Sequence, residues 1–336
     1  MKNATANALT TANTVNYETL DSLSALWQPD DPDLAWNCLF VLPMWLKAWW
    51  NNFNQHADLY LVSIRQDERL IGIAPLLRQN QSASLIGNQN VCDSLDFVVA
   101  SARAAEFYRS LIHQLRQDGV TRLGLGLIRP DSSAFTRLLP EAEKLGCRVR
   151  CEPAERSYEI ALPQTWNSYL DSLSGKERHE IRRKFRRLKR AGMVNFRLVE
   201  DATIGNREIE AFLQLFKMNR PDKAAFMSKK MESFFRDLAL QFAACGLLKL
   251  YFLELDEKPI AAVMCFDYQS TRYLYNNGYD SRFGALSAGL LSKILSIKEC
   301  FQAGIRTYDF LKGSEAYKQR LGGQPVSLYQ CMLELT

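Results

Sequence analysis

The chain carries one structural phrase twice. From Leu59, LYLVSIRQDERLIGIAPLL reads as an apolar strand, a charged turn at Asp67-Glu68-Arg69 and a second apolar strand. From Leu250, LYFLELDEKPIAAVMCF repeats that order around Asp256-Glu257-Lys258. Both are hairpin signatures. A helical run follows each, AAEFYRSLIHQLRQDG in the first half and GLLSKILSIKECFQAG in the second. Each run ends at a glycine, Gly119 or Gly304, with a strand directly after it, VTRLGLGLI or IRTYDFL. Glycine suits the left-handed position that closes a helix. The offset is 191 residues at the hairpins (Leu59 to Leu250) and 185 at the glycines (Gly119 to Gly304). A shared order with little drift predicts a duplicated α/β unit. The alternative is two α/β units that are alike only at this resolution.

At 336 residues the chain can hold two ordinary domains or one large one. Hydrophobic residues make up 47% and charged residues 24%, as in ordinary globular proteins. No apolar run reaches the 18 or so residues of a membrane span. The start, MKNATANALTTANTVN, lacks the apolar segment of a secretory signal, so residues 1–20 are expected to be a flexible polar tail. Eight cysteines (38, 92, 147, 151, 245, 265, 300 and 331) form no C-x-x-C pair, and His56, His113 and His179 lie far apart. The expectation is reduced, buried thiols in a cytoplasmic protein, with no metal site.

FVLPMWLKAWWNNF (40–53), IEAFLQLFKMNR (209–220) and KKMESFFRDLALQFAACG (229–246) have helical apolar spacing and read as packing faces. RVRCEPAERSYEIALP (148–163) reads as the strand crossing between the halves, with the division near residue 155.

The net charge of +5 is concentrated in KERHEIRRKFRRLKR, residues 176–190, where nine Lys/Arg accompany two Glu. Ile181, Phe185 and Leu188 give this helix one narrow apolar stripe, leaving Arg182, Arg183, Arg186, Arg187 and Arg190 outside it. An anionic partner belongs here, because arginine forks suit phosphate geometry. A helix neutralised by acidic neighbours is the other reading. RNA fits less well than a nucleotide-linked substrate or lipid headgroup, since only Phe185 interleaves the charges.

The second copy ends in a polar constellation. Ser287-Ala288-Gly289 precedes an apolar helix, with Ser287 a candidate N-cap and Gly289 open to an anion at the first-turn N–H groups. The other reading is a plain capped helix. Asp309 sits inside the strand Tyr308–Leu311, where a carboxylate needs a partner or a wet cleft. It is a candidate to orient or deprotonate an amine. Lys312, Glu315, Tyr317 and Lys318 follow, either as charge and proton donors or as a loop held by a Lys–Glu pair. Asn276, Asn277, Tyr279 and Asp280 form a polar, turn-forming cluster before the helix.

Tyr308–Lys318 (YDFLKGSEAYK), with Gly278-Tyr279-Asp280, Leu286–Leu291, the basic 181–192 segment and the Asp96-Phe97 region, resembles the GNAT-like acyltransferases of bacterial cellulose and exopolysaccharide biosynthesis. The resemblance covers roughly residues 25–330. That family is similar to the Fem-type transferases with two tandem GNAT-like domains. The resemblance implies a mixed α/β (α+β) fold of two such domains, each a mixed sheet flanked by helices: 21–155, non-catalytic, and 156–336, catalytic. It implies acyl transfer from acyl-CoA, a co-substrate and not a tightly bound cofactor, to an amine or hydroxyl of a glycan, lipid or metabolite. Asp309, Tyr317 and Lys318 would be catalytic, Lys318 matching the Fem-type lysine that meets substrate charge. Leu286, Ser287, Ala288 and Gly289 would hold the donor. Arg182, Arg186, Tyr279, Asp280, Lys312 and Glu315 would meet substrate. The stretch from Arg282 to Ser287 departs from the usual GNAT Arg/Gln-x-x-Gly-x-Gly/Ala loop. Two further functions fit these residues, an aminoacyl-tRNA-dependent Fem-type transferase and a non-catalytic accessory protein of polysaccharide or lipid synthesis. No DNA partner is expected, and the protein is placed in the cytoplasm, at the inner membrane face if its basic helix meets lipid.

Overall fold

The structure, a computed structural model, describes residues 13–28, 33–54, 56–200 and 205–335. Its strands are β1 (Asn13–Tyr17), β2 (Asp58–Gln66), β3 (Arg69–Gln79), β4 (Ser82–Leu85), β5 (Val98–Val99), β6 (Arg122–Ile128), β7 (Arg148–Ala161), β8 (Val194–Val199), β9 (Leu248–Leu255), β10 (Lys258–Tyr268), β11 (Thr271–Tyr279), β12 (Thr307–Lys312) and β13 (Gln324–Glu334). The helices are α1 (Leu20–Leu26), α2 (Pro43–Phe53), α3 (Ala104–Gln117), α4 (Leu139–Lys144), α5 (Trp166–Ser172), α6 (Gly175–Ala191), α7 (Asn206–Asn219), α8 (Pro221–Phe226), α9 (Lys229–Ala244), α10 (Ala288–Gln302) and α11 (Ala316–Arg320). None is long and apolar enough to cross a membrane.

The chain divides into two compact units: Met1–Leu46, Gln55–Pro153 and Tyr329–Thr336 form one, Lys47–Asn54 and Ala154–Leu328 the other. Unit 1 orders its strands β1-β2-β3-β4-β6-β13, unit 2 β8-β9-β10-β11-β12-β7. In both, the first three pairings are antiparallel, the fourth (β4–β6, β11–β12) is parallel and the fifth is antiparallel. This is one mixed α/β arrangement written twice.

The local signals act as expected. The turn pairs Asp67-Glu68 and Asp256-Glu257 are both left-handed, which matches the twist of a two-residue hairpin loop. Gly119 (φ +75°) and Gly304 (φ +68°) close α3 and α10 in the left-handed conformation. Ser174 caps α6 by accepting from Glu177 N–H at 3.2 Å, and Ser228 caps α9 by accepting from Met231 N–H.

Three expectations are corrected. The two domains are not consecutive segments, because residues 329–334 of β13 return to pair with β6, filling beside β6 the place that residues 157–161 of β7 fill beside β12. The polar start is not all tail: residues 13–17 form β1, and the Tyr17 hydroxyl donates to Asp118 at 2.6 Å (residues 1–12 lie outside the described ones). Asn276 and Asn277 belong to strand β11 and not to a turn. The cysteines also differ from expectation. Cys151, in the first part of β7, and Cys331 of β13, both residues of unit 1, are disulfide-bonded, and Cys245 is exposed.

Each unit has its own aromatic core. In unit 1, Phe97, Phe107 and Tyr108 meet edge to face. In unit 2, Phe212, Phe234, Phe235, Phe242 and Phe266 are fully buried, each contributing about 2–3 kcal/mol of transfer free energy.

Candidate functional site

In unit 2, β11 and β12 are in register only at Thr271–Tyr273 with Thr307–Asp309, yet β11 continues to Tyr279 and β12 to Lys312. The parallel pair therefore parts after Asp309. The start of α10, the end of β12 and the 313–318 loop follow that parting.

Asp309 is 4% exposed. Its Oδ1 accepts from the Ser157 hydroxyl at 3.1 Å and from the Leu311 backbone N–H at 2.7 Å. Leu311 has φ +60°, a left-handed conformation that costs a leucine about 1–2 kcal/mol. The equivalent residue of unit 1, 185 positions earlier, is Gly126 with φ +65°. Unit 2 thus keeps a bulge that unit 1 builds with glycine, and Asp309 ties it. This carboxylate braces the backbone; the sequence reading makes it the group that orients or deprotonates an amine.

Lys318 is 2% exposed. Its ammonium donates to the carbonyls of Leu311 (2.9 Å), Lys312 (2.7 Å) and Gly313 (3.3 Å) and pairs with Glu315 at 3.1 Å. It is a clamp on the turn after β12, with its donors already used. Lys312 is half-buried beside it. Burial works to raise the Glu315 carboxyl, but Lys318 outweighs it and holds the group below its ordinary range. The Tyr317 ring stands edge to face with Phe310 at 6.0 Å, and burial pushes its phenol well above the ordinary value. That phenol is protonated at neutral pH, and its hydroxyl makes no hydrogen bond among the described residues.

The helix start differs from expectation. Ser287 is left-handed (φ 58°, ψ 35°) and its side chain caps nothing, because a 3-10 turn over Ser281–Leu286 runs straight into α10. Its hydroxyl instead accepts from the Lys184 ammonium at 3.1 Å, tying the basic helix α6 to the start of α10. Leu290 and Leu291 N–H bond to the Ser287 carbonyl, leaving the N–H groups of Ala288 and Gly289 without an intrahelical acceptor. Gly289 is required for a different reason from the expected one. A Cβ there would meet the Tyr279 ring at 2.5 Å, so the glycine seats the ring. Leu286 packs on the unit 2 core. Asp280 caps the 3-10 turn through Arg282 N–H and pairs with the exposed Arg282 side chain, which holds its carboxyl down.

Two cations were missed in the sequence reading. Lys293 on α10 is 6% exposed and Lys223 on α8 is partly buried. Lys293 donates to the Gly289 carbonyl at 2.8 Å and lies 4.7 Å over the Tyr317 ring. Lys223 donates to the Asn277 carbonyl at 2.5 Å and lies 4.6 Å over Phe216. Burial lowers Lys293 to about 7 and Lys223 to about 8. Nothing in the helical pattern around Lys293 separates it from a surface lysine. Only the burial of that face of α10 does.

On α6, Arg183 pairs with Glu180 through two hydrogen bonds and Lys184 also reaches Glu180. Arg182, Arg186, Arg187 and Arg190 are exposed and have no acidic partner among the described residues. Arg183, Arg186, Arg187 and Arg190 line a groove of about 490 Å³. The reading of a helix neutralised by its neighbours therefore holds near Glu180 and at Arg178, which pairs with Asp171 at 3.9 Å, and not for these four arginines.

Residues 175–319, all within unit 2, match the family of acetyltransferase (GNAT) domains. No curated protein matches the chain. Among solved structures, FemX superposes with a TM-score of 0.69 at 12% identity, over 96% of this chain and 97% of that one. A conserved protein of unknown function from Bacteroides thetaiotaomicron gives 0.56 at 13% identity, over 95% and 99%. A tandem GNAT protein from the clavulanic acid biosynthesis pathway gives 0.51 at 11% identity, over 97% and 99%. At these identities the likeness is one of fold.

Proposed function

We propose, from the GNAT acetyltransferase domain carried by residues 175–319, that the protein transfers an acyl group from acyl-CoA to an amine or hydroxyl acceptor by direct attack on the thioester. The observation that carries this reading is the parting of β11 from β12 together with the start of α10, where the Ala288 and Gly289 N–H groups have no acceptor among the described residues. Ala288 and Gly289 N–H would take donor phosphate, helped by the helix dipole and by Lys184 beside Ser287. The donor, when bound, supplies the activated acyl group. As the acceptor nitrogen or oxygen bonds to the acyl carbon and the C–S bond breaks, Tyr317 would protonate the departing thiolate and regain a proton from the attacking amine or hydroxyl. Lys318 and Asp309 hold the turn that presents it. Unit 2 is read as the catalytic unit and unit 1, with Gly124-Leu125-Gly126 where unit 2 has Asp309-Phe310-Leu311, as non-catalytic. The acceptor classes are a glycan, lipid or metabolite, including the exopolysaccharide setting suggested by the resemblance. Thermal unfolding with acetyl-, long-chain acyl- and dephospho-CoA tests the donor. A stabilisation is expected with at least one of them, and none with any would end the reading.

The unpaired arginines of α6 favour a second reading, an aminoacyl-tRNA donor of the Fem type. It requires RNA binding that weakens steeply with salt and collapses in Arg186→Glu plus Arg187→Glu.

A further inference from the structure

We infer that Lys223 and Lys293 form a subsite for an oxyanion, a carboxylate or phosphate carried by the acceptor. The acceptor assignment rests on the transfer reading above; the subsite itself rests on geometry. Each ammonium has three donors, and each uses one, on a backbone carbonyl: Gly289 for Lys293 and Asn277 for Lys223. Neither has a carboxylate within ion-pair distance among the described residues. Both lie over aromatic faces, Tyr317 and Phe216, which favour a cation without neutralising it.

The surrounding charges do not balance them. Lys318 of α11 and Glu315 just before that helix are already paired with each other. Arg220, between α7 and α8, and Asp222 in the first turn of α8 pair at 2.7 Å. Three ammonium groups and the Arg220 guanidinium thus stand around two carboxylates, Glu315 and Asp222, each of which already has a cation of its own. Burying an ammonium without a counter-ion is costly, and a carbonyl needs only a neutral donor. The arrangement is consistent with a negative group that arrives with a ligand. The electrostatics agree: burial first and Lys223 next lower Lys293, while Glu315 alone among the near groups raises it. An entering oxyanion would act as Glu315 does, more strongly, so binding is accompanied by proton uptake near neutral pH. The chemistry selected is an amine or hydroxyl acceptor that also carries a carboxylate or phosphate.

The test uses the full chain labelled with carbon-13 at lysine Cε, with Lys223→Gln and Lys293→Gln spectra to assign the two resonances. Glutamine keeps a donor for the carbonyl, and the two variants guard against a fold defect in either one. Acetate, inorganic phosphate and acetyl-CoA are titrated separately. The expected result is saturable binding of acetate or phosphate that raises the titration midpoints of both lysines by about one unit. Lys293→Gln should weaken that binding about tenfold and leave acetyl-CoA binding as in wild type. No saturable shift with either small anion, while acetyl-CoA binds, overturns the subsite and leaves the transfer reading standing. Equal loss of acetyl-CoA affinity in Lys293→Gln overturns the acceptor assignment, because the pair then serves the donor's phosphates. Anion binding without any acetyl-CoA binding supports the subsite and removes the transfer reading.

Discussion

Asp309 accepts the backbone N–H of Leu311 at 2.7 Å, and Leu311 is held at φ +60°. This bond replaces by side-chain chemistry what Gly126 supplies in unit 1 by having no Cβ. The two variants at this residue have opposite consequences. Asp309→Asn keeps the Oδ1 acceptor for both Leu311 N–H and the Ser157 hydroxyl, so turnover should stay within a few-fold of wild type. Asp309→Ala strands both donors in a buried site and should cost about 2–3 kcal/mol in denaturant unfolding. A loss of several hundred-fold in Asp309→Asn, with normal stability, would restore the proton-acceptor role.

Lys318→Met should destabilise unit 2 by about 2–4 kcal/mol, since three carbonyls lose their shared donor. Thermal unfolding and amide exchange at residues 311–313 check this. Normal stability with lost turnover would mean that the ammonium meets substrate and not the backbone.

The fold was legible where the chain repeats itself. The two hairpins, the two glycine-closed helices and the crossing strand near 148–163 all follow from periodicity and turn chemistry. The return of β13 to β6 was not legible, since QPVSLYQCMLE differs little from any exposed strand and pairing partners are set by tertiary packing. At the site, Tyr317, Lys318 and Glu315 were found as a polar cluster, but their division of labour depends on hydrogen bonds that no spacing encodes. Ser287 reads as a cap by residue type, yet the 3-10 turn before it forces a left-handed backbone. Lys293 was hidden because a lysine inside an amphipathic helix is ordinarily solvated.

Lys293 also gives the protein a pH-dependent stability. Its folded value of about 7 lies below the ordinary lysine value, so between pH 7 and about 10 the unfolded chain binds more protons than the folded one. The Lys293 contribution is therefore unfavourable below pH 7 and is relieved as pH rises toward 10. The stability of Lys293→Met relative to wild type should fall over that window, measured by urea unfolding at fixed ionic strength. A difference independent of pH would show that the ammonium is solvated.

In unit 1, Asp96 accepts the N–H groups of Phe97, Ser133 and Ala134, each at 2.8 Å. Asp96→Ala leaves all three buried or half-buried donors unmet and should cost about 3 kcal/mol in chemical unfolding. Acyl-CoA affinity should not change in the folded fraction, because nothing in unit 1 is assigned to the donor. A matching loss of affinity would assign unit 1 a binding role.

The central claim is that unit 2 takes the acyl donor at the start of α10. Backbone amide NMR of the full chain titrated with acetyl-CoA tests it residue by residue. The account predicts saturable shifts, largest at the amides of Ala288 and Gly289. Shifts confined to residues 56–153, or no saturable shift with any acyl-CoA, would contradict it.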